Sequence, residues 1–526
     1  CLYIGSLKGG VKELNLTSGK LRDLLLKDED NESIYCRTLL FATDNELWIG
    51  TESGAYIYNL RTGKYTHLRS SEYDPYSLSD NAIYSFCKDR EDGIWIGSYF
   101  GGVNYYPRSY THFEKYYPKG EENSLHGKRV REFCRDNYGV LWIGTEDGGL
   151  NRFNLNTKEF SFFAPSAGFT NIHGLCLVDD KLWVGTFSKG LKIIDTRTGT
   201  VLKTYQKNSS PRSLIDNSIF AICRTATGDI YLGTMFGLVK YNKQSDDFDR
   251  IPELNGKFVY DIKEDSGGNI WLATYANGAY CYNVNDRKWK NYVHDEKDTT
   301  SLSYNKVSSI FEDSYHRIWL TTQGGGFCLF HPESETFTSY NSTDGLPSDV
   351  VYQIVEDKDG QLWLTTNNGL VYFQPKTETM KVYTTANGLL GDQFNYRSSF
   401  EDENGMIYFG GIDGFIAFNP KSFSENKNLP TVVITDFLLF NKEVYADEPN
   451  SPLEKNITFS DKIVLRADQN SFSFRISALG YQAPGMNKLM YKLEGFDNEW
   501  LSIGESPLIT YANLRYGDYV FRVKAA

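Results

Sequence analysis

No run in this sequence approaches 18 consecutive apolar residues, so nothing in it reads as a membrane-spanning helix. Met (5) and His (7) are scarce, and no CxxC or His-rich pairing is present to hold zinc. The GxSxG, HExxH and P-loop signatures are missing, as are kinase and phospho-acceptor motifs. Positive charge is not in excess: 55 Lys and Arg stand against 67 Asp and Glu, a net charge of −12. A nucleic-acid binder, which needs a basic face to displace phosphate counterions, is therefore disfavoured. The first ten residues, CLYIGSLKGG, have neither the basic region nor the apolar core of a signal peptide. Cys1 as a lipoprotein cysteine is the weaker reading. LYIGS looks like the inside of a strand, and residue 1 then reads as a cut through a longer protein.

Aromatic residues are abundant: 37 Tyr, 33 Phe and 9 Trp make up 15% of 526 residues. Flat rings suit a pleated, half-buried surface, which favours β structure. A hydrophobic fraction of 40% with 23% charged residues is enough to bury a core.

One phrase recurs along the chain, a hydrophobic residue, Trp or Tyr, a second hydrophobic residue, Gly, Ala or Thr, and then a Gly-rich step. Its anchors are Tyr3, Trp48, Trp95, Trp142, Trp183, Tyr231, Trp271, Trp319, Trp363 and Tyr408. They lie 45, 47, 47, 41, 48, 40, 48, 44 and 45 residues apart, a mean of 45. Each unit reads as four short antiparallel strands with tight turns. One such sheet buries little alone, and radial packing of many of them is a β-propeller. The ten units predict three last blades of a truncated N-terminal propeller over 1–118 and a seven-bladed propeller over 119–428, with Thr111–Tyr117 serving as the closing outer strand of the last blade. From Pro430 the period changes. VVITDFLLF, ITFSD, KIVLRA, SFSFRISAL, LMYKLEG, LITYANL and YVFRVKAA read as about seven strands, so 429–526 is expected to be an immunoglobulin-like β-sandwich. The fold class is all-β.

The units V-x-x-I-x-E-D-x-x-G-x-L-W-[IL]-[GT]-T followed by GG-L resemble the two-component regulator propeller repeat. The end of the chain, with Tyr491-Lys-Leu-Glu-Gly-Phe-Asp-Asn-Glu-Trp500, Tyr511-Ala-Asn-Leu and Gly517-Asp-Tyr519-Val-Phe-Arg-Val, resembles the three-tyrosine domain. Together they are similar to the periplasmic sensor region of hybrid two-component systems of Bacteroidetes. The resemblance implies two seven-bladed propellers and a three-tyrosine domain ahead of a membrane helix, a histidine kinase and a response regulator. It further implies sensing of glycan-derived oligosaccharides, a periplasmic location as part of an inner-membrane protein, and a homodimer through the sandwich. This chain departs from that plan at both ends, lacking four blades at the front and stopping at Ala526 before any membrane segment. No cofactor, metal or catalytic residue is expected in it.

The repeat also assigns structural roles. Cys87, Cys134, Cys176 and Cys223 share one repeat position, and Cys281 and Cys328 another, so these thiols read as small buried residues. The pairs Glu264-Asp265, Glu312-Asp313, Glu356-Asp357 and Glu401-Asp402 recur where the first strand ends. There their oxygens can satisfy turn amides rather than serve as a glycosidase pair.

Binding residues are sought where type varies on a repeating scaffold, at the second-to-third-strand turns and the starts of the inner strands. The turns offer Phe187, Lys189, Phe236, Tyr275, Asn277, Gln323 and Asn367. The inner-strand starts offer Arg129, Arg131, His173, Lys257, Tyr260, Tyr304, Lys306, Tyr352, Gln393, Asn395 and Arg397. Rings cover the apolar faces of sugars, while Asn, Gln and Arg satisfy hydroxyls. The basic members Arg129, Arg131, Lys257, Lys306 and Arg397 would suit an acidic saccharide. The rival readings are a propeller polysaccharide lyase or glycosidase and a scaffold propeller for protein partners.

Overall fold

The structure, a computed structural model, describes residues 1–107, 113–120, 123–423, 430–481, 487–504 and 508–525. It divides into two compact units, residues 1–110 with 424–526, and residues 111–423. No helix among the described residues is long and apolar enough to cross a membrane.

The second unit holds seven four-stranded antiparallel sheets among the described residues. Numbered as blades 1 to 7, their inner strands are Val130–Arg135, Ile172–Val178, Ile219–Arg224, Val259–Glu264, Val307–Glu312, Val351–Glu356 and Phe394–Glu401. Each inner strand lies beside the next, and the ring closes where Phe394–Glu401 meets Val130–Arg135. Ser398 seals that seam by donating to the Val130 carbonyl at 3.0 Å.

The seventh blade is completed from far upstream. Glu114–Tyr116 pairs as its outermost strand with Phe415–Phe418, and the Tyr116 ring stacks on Phe415 at 4.5 Å. This strand belongs to the seven-bladed unit, which therefore begins at 111, not at the 119 that the repeat spacing alone indicates. The unit ends at Phe423 rather than at 428, and Thr111 and His112 lie outside the described residues.

The repeat explains how each blade is stitched. The Asp of the Glu-Asp pair accepts from the indole of the Trp six residues on, as in Asp265–Trp271, Asp313–Trp319 and Asp357–Trp363, at 2.9, 2.8 and 2.9 Å. Its other oxygen takes turn amides, those of Tyr315 and Arg317 in the case of Asp313. The Glu reaches a neighbouring blade. Glu264 accepts from the Ala226 amide, Glu312 from Ser266 and Glu356 from Ser314. Trp142, Trp319 and Trp363 are buried between blades, and removing one such ring costs about 3–5 kcal/mol. The Thr that closes the repeat phrase donates to the glycine carbonyl of the next turn, Thr322 to Gly326 at 2.9 Å. Gly326 sits at φ 72°, where a Cβ would strike the Tyr340 carbonyl oxygen, so this step is reserved for glycine.

In the first unit, residues 1–107 form three sheets. They are Leu2–Ser6 with Gly10–Leu14 and Leu21–Leu25, then a four-stranded sheet from Cys36–Thr43 to Tyr65–Leu68, then Ile83–Lys88 with Ile94–Ser98 and Val103–Tyr106. The C-terminal part packs Lys442–Glu443, Thr431–Leu439, Ser471–Leu479 and Leu508–Ala512 as one sheet against Leu501–Ser502, Leu489–Glu494 and Val520–Ala525. Two expected strands are not there. ITFSD turns as a short 3-10 helix at Ile457–Phe459, because the Asn456 side chain accepts from the Thr458 amide, and KIVLRA runs without sheet pairing.

Tyr511 is buried in the sandwich core with Tyr491 and Tyr519 packed against it. Tyr511 donates to Asp497 at 2.7 Å, and Tyr519 donates to the Arg515 carbonyl at 2.9 Å, forming a corner. Trp500 is half-buried outside that core, with the Lys524 ammonium 4.3 Å from its ring centre.

All eight cysteines are free, and burial holds the Cys36 and Cys223 thiols up at about 11. Cys87 is a correction to the buried-thiol reading. It is exposed, on a strand, Ile83–Lys88, of which Ile83 alone is buried.

Candidate functional site

Six of the seven inner strands in the second unit share one irregularity. Near its start, two steps on the inner strand oppose one on the second strand, as at Val130/Glu132, Val259/Asp261 and Val351/Gln353. Blade 7 departs from this. Phe394 pairs with Gly411 and the next pair is Ser399 with Phe409, so Asn395–Ser398 bulge out of the ladder. Arg397, at the crest, has φ 49°.

The bulge crosses the hub. Arg397 donates through Nη1 to the Phe220 carbonyl on blade 3 at 2.9 Å, and its Nε lies 2.9 Å from Asp261 Oδ1 on blade 4. Glu132 on blade 1 is 3.7 Å from the same guanidinium. Asp261 also accepts from the Ile310 amide on blade 5 at 3.1 Å. Burial pushes Glu132 up to about 7, against the pull of Arg397 and Arg131. The hub of the ring is thus occupied by an internal ion network rather than left as an open channel.

Beside this plug lies a continuous aromatic floor. Tyr396, the bulge's neighbour to Arg397, stacks on Tyr260 at 5.7 Å and meets Tyr352 edge-on at 4.7 Å. Tyr260 stacks with Phe258 at 4.6 Å, and Phe258 stacks with Tyr275 at 5.5 Å. Phe220 joins Phe258 at 4.5 Å and His173 at 4.6 Å, and His173 reaches Phe187 at 5.8 Å. Burial, and then Arg131, keep the His173 imidazole well below its ordinary 6.5, so the ring is neutral at pH 7. Two cations lie over these rings, Lys306 at 4.4 Å from the Tyr275 centre and Arg131 at 4.9 Å from that of Tyr396. Phe187 and Tyr275 are 40% and 42% exposed, which makes them the solvent-facing part of the floor.

The structure therefore gathers Arg131, His173, Phe187, Tyr260, Tyr275, Lys306, Tyr352, Asn395 and Arg397 around one hub, with Gln393 against the Tyr352 hydroxyl. Arg397 is held in its ion network and is not a free rim cation. Asn395 is buried, its Oδ1 accepting from the Tyr396 amide. The remaining rim residues sit on separate turns. Phe236, Tyr304, Asn367, Arg129 and Lys189 are exposed, and Lys257, Asn277 and Gln323 half-buried. Tyr304 lies against Gly324 beside Gln323.

Sequence reasoning missed Phe220, Phe258, Tyr396, Asp261 and Glu132. Two signals mark them. Val259 to Trp271, Val307 to Trp319 and Val351 to Trp363 each span 12 steps, whereas Phe394 to Tyr408 spans 14. Glu132 and Asp261 also occupy the register position that is Gly174, Ala221 and Ser309 in other blades.

Comparison with known proteins agrees with this architecture. The two component regulator propeller model matches residues 77–100, 124–147, 253–276, 301–324 and 345–368, and the Y_Y_Y domain model matches 480–526. Histidine kinase P4 of Formosa agariphila is 28% identical over 365 residues, 67% of this chain and 26% of its own length. The chain thus spans about a quarter of that curated relative. The extracellular domain assigned to a hybrid two component system of B. thetaiotaomicron superposes with TM-score 0.83 at 27% identity, over 100% of this chain and 68% of that one. A second such domain from the same organism shares the fold at 22% identity and TM-score 0.50, over 100% of this chain and 71% of its own. The chain carries two-component regulator propeller repeats followed by a Y_Y_Y domain, the make-up of the extracellular part of a hybrid two-component system.

Proposed function

We propose that this chain is the extracytoplasmic ligand-sensing region of a hybrid two-component histidine kinase, and that the mouth of the seven-bladed ring binds a glycan-derived oligosaccharide. The observation that carries the reading is the aromatic floor laid over a plugged hub, in a chain with this repeat and domain make-up. Exposed Phe187 and Tyr275 offer flat faces for the apolar side of a sugar ring, and the polar groups around them offer hydrogen bonds to its hydroxyls. The solved domain that it matches at 27% identity is the extracellular domain assigned to a hybrid two component system.

In this reading the periplasmic chain acts as a homodimer through its sandwich. The sandwich conveys the ligand's effect to a membrane helix and kinase outside these residues. A sugar shifts the signalling balance only by its difference in affinity for the two states.

Calorimetry of the whole chain against a panel of purified oligosaccharides tests this. One-to-one binding without turnover is expected, with Phe187→Ala and Tyr275→Ala each weakening it about tenfold. Silence across the panel, or product formation, would overturn the sensor reading.

A further inference from the structure

The hub holds two guanidinium groups, Arg397 half-buried and Arg131 fully buried, with opposite circumstances. Arg397 is engaged by Asp261 and the Phe220 carbonyl. Arg131 is 1% exposed and lies flat on Tyr396, yet neither its Nε nor its Nη2 has a hydrogen-bond partner. Glu132 and Glu146 are near enough to bear on its charge without bonding to those two nitrogens. A buried guanidinium without acceptors is costly, because its donors have given up water and gained nothing.

The two unpaired nitrogens are not an arbitrary pair. Nε and Nη2 form the side edge of the guanidinium, whose parallel N–H bonds match two oxygens of one carboxylate or sulfate. Asn395 Nδ2, His173 Nδ1 and Glu132 Oε1 are also buried in the hub without hydrogen-bond partners. The floor on which Arg131 rests is the same stack of Tyr396, Tyr260 and Tyr275 that reaches the exposed mouth.

We propose that Arg131 is the anchor for an anionic substituent, a carboxylate or a sulfate ester, on the saccharide bound at this mouth, its Nε–Nη2 edge forming two parallel charge-assisted hydrogen bonds to that group. This rests on the reading of the mouth as a glycan site and narrows its ligand to acidic saccharides. Lys306, over Tyr275, adds positive charge beside the same floor.

The test is calorimetry of the 526-residue chain with galactotetraose, tetragalacturonate and O-sulfated galactotetraose. At least one charged probe is expected to bind tenfold or more tightly than the neutral one, and which of them does so separates carboxylate from sulfate. Arg131→Gln and Arg131→Lys should each abolish that preference, read as the ratio of charged to neutral affinity within the same variant. Arg131→Lys keeps the charge but not the fork, and its melting temperature checks that the hub still folds should Arg131→Gln fail to. Neutral binding as tight as charged, or a preference that survives in Arg131→Lys, overturns the Arg131 assignment and leaves the glycan-sensing reading standing. No heat from any of the three overturns the assignment as well, and the wider panel then decides the sensor reading separately.

Discussion

Single side chains in this protein do two jobs at once, and the repeated geometry of the turn shows it best at Asp313. Its fully buried carboxylate accepts from the Trp319 indole, from the Arg317 and Tyr315 amides and from the Arg317 Nε. Asp313→Ala leaves buried donors unpaired, and a loss of about 2–4 kcal/mol in urea denaturation is expected, with Asp313→Asn recovering part of it. Glu132 gives a pH-dependent counterpart. Its folded pKa is raised from 4.5 to about 7 by burial, so between those values the native state holds a proton that the unfolded chain has released. The stability this contributes is fully present below 4.5 and is lost as pH rises through 7, up to about 3 kcal/mol. Thermal melts from pH 5 to pH 8 should show that decline in the native protein and a smaller one in Glu132→Gln.

At the level of elements, the repeated strands were readable from sequence and the unrepeated insertion was not. Trp142, Trp319 and Trp363 announce their blades because every blade must bury the same ring in the same gap. Tyr396 belongs to the blade 7 bulge, and its meeting with Tyr260 of blade 4 depends on two extra residues in one strand. Periodicity averages such a feature away. The sandwich shows the converse error, since KIVLRA has strand composition but no paired partner. Propensity names a preference, and hydrogen-bond partners decide the outcome.

The bulge itself makes a prediction. Arg397→Met removes the counter-charge from Asp261 inside the hub, and a cost of about 3–5 kcal/mol is expected. Adding Asp261→Asn should restore much of it, a coupling that a double-mutant cycle in denaturant would measure.

For the molecule as a whole, the seven-bladed ring is a unit that borrows its last strand from its own beginning. Residues 111–423 alone should unfold in one cooperative transition. A chain beginning at 119 lacks Glu114–Tyr116, exposes the edge of Phe415–Phe418, and should melt about 5 °C lower or more, or associate through that edge, as calorimetry and light scattering would show.

That borrowed strand also sets a timetable. Glu114 pairs with Ala417, some three hundred residues later, so a ribosome moving at about 5–20 residues per second separates the two by about 15–60 s. Throughout that interval the early segment has emerged without its mate, and the loop that must finally be drawn shut is among the longest the chain contains. The nascent protein is thus born unclasped, and its vulnerable period ends only when the latest blade is delivered to the earliest strand.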